Sequence, residues 1–379
     1  MKKVVVFNAT FDGNTHEIID SSIIIMLSML YEHVTVMFLK ERGRIISDII
    51  KKQIDNQNIE YKLIHNIKKN GAIHDLVAAF KEAWIILKGP SDALYFGTYN
   101  NMFSCHINNF IAKITKKQVI LCCHSELNEL TSRHSNFKNY WSILIRRFYL
   151  KTKFAKSLKL IVFGNHIINE LAKYVDKKRL EFFYSIDHPY FSLPKMNTHI
   201  LNNHIKIAII GSLDVTEIRG INNIIKLSQM LLNDDSISIH TISKVSLEAK
   251  KILKECNVNI ENETEFFFSR TKYESLIQEM DYIFVPYSSS LYNLIASGAV
   301  LQAIACKKPV LMSSNNYSRY LVSKYGQIGY FVEDYSCDNF IKLLKDEDKY
   351  QTIINQEDVI LKKLSPKCLV SDLKHIINA

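Results

Sequence analysis

Short apolar or β-branched runs recur along the first half of the chain at Val4–Phe7, Val34–Phe38, Ala93–Phe96, Val119–Cys122 and Leu160–Phe163, each separated from the next by a helix-length segment. Strands buried on both faces lose the alternation of apolar and polar positions, so this pattern predicts a parallel sheet covered by helices. A second series follows at Lys206–Ile210, Ile237–Thr241, Tyr282–Val285, Val310–Met312 and Tyr330–Val332. The economical reading is an α/β chain of two Rossmann-like, doubly wound domains in tandem. Tyr184–His204 carries two prolines and several asparagines with little periodicity, as a linker would. The boundary is expected near Asn197–Asn203, giving domains 1–198 and 199–379, with a final helix over 365–379 able to cross back to the first domain.

Size and composition agree with two cores. The chain has 379 residues, 47% of them hydrophobic, too many for one ordinary core. The opening apolar run stops after Phe7 and reads as a strand, not a signal peptide. Ile23–Leu30 is interrupted by Ser28 and too short to span a bilayer, so no transmembrane helix is expected. Seven cysteines without metal-ligand spacing fit a reducing compartment, and a cytoplasmic location is the expectation.

The formal net charge of +10 favours an anionic partner: nucleotide phosphate, nucleic acid or an acidic membrane face. From Lys138 to Lys159 there are seven Lys or Arg residues and no carboxylate. Trp141, Leu144, Ile145 and Phe148 form one helical face, but Ile143, Leu150 and Phe154 fall opposite. Residues 138–159 therefore read equally as a peripheral contact with an anionic membrane or as a core helix with solvated charges.

Candidate chemistry gathers at strand ends. After Tyr282–Val285 the chain reaches Pro286, Tyr287 and three serines, Ser288 to Ser290. A Ser-Gly turn, Ser297-Gly298, then opens a small-residue helix. Free N–H groups and the positive end of the helix dipole there would seat a phosphate, although a plain serine cap gives the same pattern. The second domain opens with a strand ending at Gly211 and Ser212, followed by Arg219 and Gly220 at a helix start. A glycine admits close approach to backbone, and an arginine offers a planar fork to phosphate oxygens. An ordinary βα turn with a surface arginine is the alternative. In the first domain Asp12, Gly13 and His16 follow the first strand, and His124 and Glu126 follow the strand at Val119–Cys122. Gly164 and Pro189 read as structural residues of a tight turn and of the linker.

The stretch from Leu294 to Leu311 resembles the donor half of the GT-B nucleotide-sugar glycosyltransferases, particularly the large group-one family, with the pattern E-x-F-G-x-x-x-x-E-A-x-A-x-G-x-P-V-I. Ala303, Ala305, Pro309 and Val310 match in register; Leu294 and Gln302 stand at the two glutamates and Lys307 at the later glycine. The Gly211–Gly220 segment resembles G-R-L-x-x-x-K-G with two residues more before the cation, Ser212 standing at the arginine and Arg219 at the lysine. The resemblance implies a GT-B fold with the two domains facing an interdomain cleft, and transfer of a sugar from a nucleotide diphosphate sugar to a glycan or lipid-linked acceptor in bacterial surface polysaccharide synthesis. It implies donor contacts from Gly211, Ser212, Arg219, Tyr287, Ser297, Gly298 and Gln302, the last on the ribose, and acceptor contacts from Gly13 and His124. His16, Asp12 or Glu126 would serve as catalytic base if the reaction inverts, while the family itself suggests retention. No metal, no cofactor and no nucleic acid are expected. A non-catalytic nucleotide-sugar-binding subunit and a sugar-nucleotide epimerase are the rival readings.

Overall fold

The computed structural model describes residues 2–379 except 14–15, 56, 66–70, 132–139, 192–199, 214, 216–219, 263–267 and 288–291. The chain divides into two compact units. Unit 1 comprises Met1–Phe191, Leu294–Ala296 and Leu364–Ala379; unit 2 comprises Ser192–Asn293 and Ser297–Lys363.

Unit 1 is built from β1 (Lys3–Asn8), α1 (Glu17–Leu30), β2 (His33–Phe38), α2 (Lys40–Gln53), β3 (Ile59–Tyr61), α3 (Gly71–Lys88), β4 (Ala93–Gly97), α4 (Ser104–Thr115), β5 (Val119–Cys122), a 3₁₀ turn at Ser125–Leu130, α5 (Tyr140–Lys151), β6 (Leu158–Phe163), α6 (Asn165–Leu171), α7 (Lys177–Leu180) and β7 (Phe183–Ile186). The seven strands are parallel in the order β3-β2-β1-β4-β5-β6-β7. Helices α3 to α6 cover one face, where Ile86, Ile111, Ile145, Phe148 and Ile167 share a core with Phe7, Tyr95, Leu121 and Val162. All five runs expected to be strands are strands, because each is buried on both faces. β3 and β7 were missed: β3 is a three-residue, half-exposed edge strand, and β7 falls in what reads as linker.

Unit 2 contains β8 (Ile205–Ile209), β9 (Ser212–Leu213), α8 (Ile221–Leu231), β10 (Ile237–Thr241), β11 (Lys244–Val245), α9 (Leu247–Glu255), β12 (Asn259–Ile260), α10 (Arg270–Gln278), β13 (Tyr282–Val285), α11 (Gly298–Ala305), β14 (Val310–Met312), α12 (Asn316–Tyr325), β15 (Gly329–Phe331), α13 (Cys337–Leu344) and α14 (Glu347–Leu364). Its main sheet runs β12-β10-β8-β13-β14-β15, again parallel, with β9 and β11 as a separate short pair. Helix α15 (Pro366–Asn378) belongs to unit 1, where it packs on α1, and Lys159 Nζ donates to the Ile376 and Ile377 carbonyls at its end. Among the described residues no helix is long and apolar enough to cross a membrane.

The conflict of apolar faces in the basic segment has a simple cause. Helix α5 stops at Lys151, so Phe154 is buried from the connection that follows while Ile143 stays exposed on the helix.

Candidate functional site

In an open parallel sheet, strand order reverses at one place, and loops diverging there leave a crevice at the carboxyl edge. Unit 2 reverses between β8 and β13, its first strand and the one that returns beside it. Both donor-side loops expected from sequence leave the sheet at these two strands.

Gly211 follows β8 with φ of 104°, a conformation that glycine adopts freely. The space left by its missing side chain is filled by Tyr287, arriving from β13. A Cβ at position 211 would stand 1.8 Å from the Tyr287 hydroxyl, which donates to the Ile210 carbonyl at 3.3 Å. The glycine therefore admits a tyrosine, and Tyr287, only 4% exposed, is a wall of this edge. Ser212 lies in β9, paired with Lys244 of β11. Gly220, φ 78°, opens α8 so close to β13 that a Cβ would meet the Pro286 carbonyl oxygen at 2.1 Å, and Asn223 Nδ2 donates to that oxygen at 2.6 Å. Arg219 and the serines Ser288 to Ser290 lie outside the described residues.

Ser297 caps α11: its Oγ accepts from the Val300 N–H at 3.3 Å and its carbonyl accepts from Leu301 N–H, also at 3.3 Å. The N–H groups of Gly298 and Ala299 precede these bonds and belong to the first turn, whose donors have no intrahelical partner. Gly298 is exposed, and nothing lies within 4 Å of where its Cβ would be. Four residues on, Gln302 is nearly buried, its Nε2 donating to Cys306 Sγ at 3.2 Å. Sulfur is a weak acceptor, so that amide is cheaply redirected to a better partner.

Two positions of the family pattern behave differently. Lys307, where the pattern has glycine, keeps the glycine conformation at φ 53°. Its N–H donates to Ile304 and that of Lys308 to Ala303, the paired bonds of a left-handed helix stop. Leu294, where the pattern has a glutamate, is fully buried in the core of unit 1. An apolar side chain there gains by leaving water and offers nothing to a sugar.

Unit 1 reverses between β1 and β4, and the remaining candidates collect at that edge. Asp12 Oδ1 accepts from the N–H groups of Gly13 and Arg42 at 3.1 and 3.2 Å. Arg42 itself is fully buried, bonded through Nε to Asp20 at 3.0 Å and through Nη1 to the Gly13 carbonyl at 3.4 Å. This brace on the loop gave no signal in the sequence, since Asp20 and Arg42 are ordinary charged residues of two helices. His16 precedes α1 in the left-handed region, φ 60°, its ring centroid 5.6 Å from Phe11 and 5.0 Å from His124. Tyr99, Phe163 and His188 complete the aromatic cluster.

The electrostatics of this edge favour uncharged forms. His124 donates Nε2–H to the Thr98 carbonyl at 2.9 Å; burial lowers its pKa to about 4, with Arg42 adding to the effect. Burial and then His124 lower His188 to about 3. His16 is held below its ordinary range by its surroundings, then by His124, Arg42 and His188, although enough of its surface faces solvent to moderate that effect. Glu126, 4% exposed, accepts from His124 N–H at 2.8 Å and the Tyr149 hydroxyl at 3.2 Å, and burial raises its pKa to about 7. Glu82, also at about 7 through burial, accepts from Ala9 N–H and Asn108. Its position in the middle of α3 concealed it from sequence reading.

Two parallel sheets in succession, of seven and six strands, each with its candidate residues at the reversal point, are the architecture of the GT-B glycosyltransferases, and the chain has that fold. Among solved structures, HepE of Anabaena in complex with UDP is similar over 100% of both chains, with a TM-score of 0.63 at 12% identity. A point mutant of TarM of S. aureus, in complex with Fondaparinux, alpha-GlcNAc-glycerol and UDP, is similar over 100% of both chains at a TM-score of 0.65 and 10% identity. WaaG, a glycosyltransferase involved in lipopolysaccharide biosynthesis, is similar over 99% of both chains at 0.60 and 12%. No protein-family profile matches the sequence, and no curated protein matches it.

Proposed function

We propose that the protein is a glycosyltransferase that moves a sugar from a nucleoside diphosphate sugar to a glycan or lipid-linked acceptor in bacterial surface polysaccharide synthesis, working in the cytoplasm. The observation that carries this reading is the exposed start of α11, where Gly298 leaves open space beside two first-turn N–H groups at the reversal point of unit 2. HepE was solved with UDP and with UDP-glucose, and TarM with UDP, so the same fold holds such donors elsewhere.

In this reading the pyrophosphate rests on the Gly298 and Ala299 amides and the helix dipole, with Arg219, the residue before Gly220 in the sequence, as the cation. Those groups stabilise the charge that grows as the nucleoside diphosphate departs, a task that here needs no metal. Gln302 turns from the Cys306 sulfur to the ribose, and Gly211, Ser212 and Tyr287 shape the wall. The acceptor is bound by Gly13 and His124 at the edge of unit 1. Of the three candidate bases, His16 fits proton removal best: it is exposed and its lowered pKa keeps it neutral at physiological pH, whereas Glu126 is buried and one oxygen of Asp12 already accepts two backbone N–H groups. Peripheral contact with an anionic membrane belongs to the same reading, since a lipid-linked acceptor is met at a membrane face.

Gly298→Asp tests the donor seat. The side chain enters open space, so the fold should be kept while a carboxylate meets the pyrophosphate; donor affinity should fall roughly tenfold or more with the nucleotide-free melting temperature unchanged. Arg219→Ala should weaken the donor likewise, and turnover should survive EDTA. Unaltered UDP-sugar affinity in both variants removes α11 and Arg219 from the site.

A further inference from the structure

Helix α3 carries its apolar residues on two faces. The inner one, with Ala79, Ala83 and Ile86, enters the core of unit 1. The outer one, Ile73, Leu76, Val77, Phe80, Trp84 and Leu87, repeats at the spacing of one helical stripe and is exposed along its whole length, with Ile73, Phe80 and Trp84 each at least 60% exposed. Helix α4 lies beside α3 on the same side of the sheet and adds Phe110 and Ile114, one turn apart and more than half exposed. Scattered exposed leucines need no explanation; a row of this length, with a phenylalanine and a tryptophan within it, marks a surface made for contact.

The charges around the stripe say what kind of contact. Helix α3 has two carboxylates: Glu82 is fully buried, and Asp75 is held mostly under cover beside His74. Helix α4 has none. The exposed charged groups of the two helices and the turn after α4 are therefore cations, Lys88, Lys113 and Lys116; the turn after α3 adds one exposed carboxylate, Asp92, set 4.0 Å from Lys3. Lys88 Nζ lies 4.9 Å from the Trp84 ring, the arrangement of a lysine whose stem follows an apolar surface while its ammonium reaches outward. Lys117 closes the end of α3 by donating to the Ile86, Leu87 and Gly89 carbonyls at 2.6, 3.2 and 2.8 Å, so the helix is fixed up to its last turn.

We infer that the α3–α4 face docks on a bilayer containing acidic phospholipid, with Phe80 and Trp84 entering the headgroup region and Lys88, Lys113 and Lys116 facing lipid phosphate. A second copy of the chain is the competing occupant, but face-to-face association would set these lysines against their equivalents, a like-charge cost that an anionic surface turns into attraction. The inference rests on the peripheral contact in the proposed function and gives it a surface on α3 and α4, apart from the basic segment 138–159. It does not depend on donor chemistry.

The test is flotation of the full chain with phosphatidylcholine vesicles, with and without phosphatidylglycerol. Wild-type protein should float with the acidic vesicles and far less with the neutral ones. Phe80→Ser/Trp84→Ser should lose about tenfold or more in partitioning. Lys113→Glu/Lys116→Glu should lose about twentyfold or more on acidic vesicles, each lysine near such a surface being worth roughly fivefold. Arg147→Glu/Lys151→Glu, on α5, should change far less. All four proteins should show the same UDP-induced rise in melting temperature, which keeps this question separate from the donor site. Undiminished flotation of Phe80→Ser/Trp84→Ser overturns the inference. So does loss of flotation only in the α5 variant, which would leave the membrane contact on 138–159. A wild-type dimer that becomes monomeric in Phe80→Ser/Trp84→Ser without vesicle binding gives the face to a second copy, and absence of wild-type flotation removes the membrane contact altogether.

Discussion

Glu126 shows how a residue's surroundings fix its charge. Burial raises its carboxyl pKa to about 7, above the ordinary value near 4.5, so the folded state prefers the acid form. Stability from that preference is fully present below the ordinary value and is lost as pH rises through about 7. Glu126→Gln keeps an uncharged acceptor for the His124 N–H and turns its amide N–H toward the Tyr149 hydroxyl, whose oxygen can accept. Between about pH 5 and about pH 8.5, urea unfolding should therefore shift in favour of the variant by on the order of 1–3 kcal/mol. A pH-independent gap would mean that Glu126 stays ionised. The histidines work in the opposite sense: with pKa values lowered to about 4 and about 3, His124 and His188 contribute stability that is lost as pH falls below 6.5. At this scale the sequence was only partly readable. It placed Asp12, His16, His124 and Glu126 at strand ends, because a side chain just past a parallel strand has nowhere else to be. It could not show that Tyr287 fills the space at Gly211, or that Arg42 braces the loop at Gly13. Those contacts join residues 76 and 29 positions apart.

Among elements, legibility followed burial. Strands covered on both faces were found almost to the residue, whereas the edge strands β3 and β12 and the β9–β11 pair are too short and too polar to stand out. The capped start of α11 was readable from Ser297 and Gly298 alone, since the cap is local chemistry. The cover that α15 gives to α1 was not, because amphipathic spacing names a buried face without naming its partner. Leu369, Leu373 and Ile376 form that buried face. Leu373→Ala should reduce the stability of unit 1 by about 2–4 kcal/mol, the usual cost of an emptied leucine site, measured by denaturant unfolding. A loss below about 1 kcal/mol would mean that α15 contributes little to that unit.

For the whole molecule, each unit has its own parallel sheet and its own hydrophobic core. Separate cores unfold as separate cooperative events unless something couples them. Calorimetry should resolve two transitions, and under the proposed donor seat on α11 saturating UDP should raise the one belonging to unit 2, as a ligand bound only by the native form does. A single transition would mean that the two cores are coupled, whereas a rise confined to unit 1 would contradict a donor seat on α11. Continuity carries a further consequence, because residues 364–379 return to the unit that residues 1–191 began. As the polypeptide emerges during synthesis, the seven-stranded sheet can form early, yet α1 keeps its apolar side uncovered until the last helix has left the ribosome. The six-stranded unit, finished by residue 363, can close first. The half translated first is thus the last to be sealed, and a nascent chain stalled before residue 364 would present the Ile-rich side of α1 to chaperones.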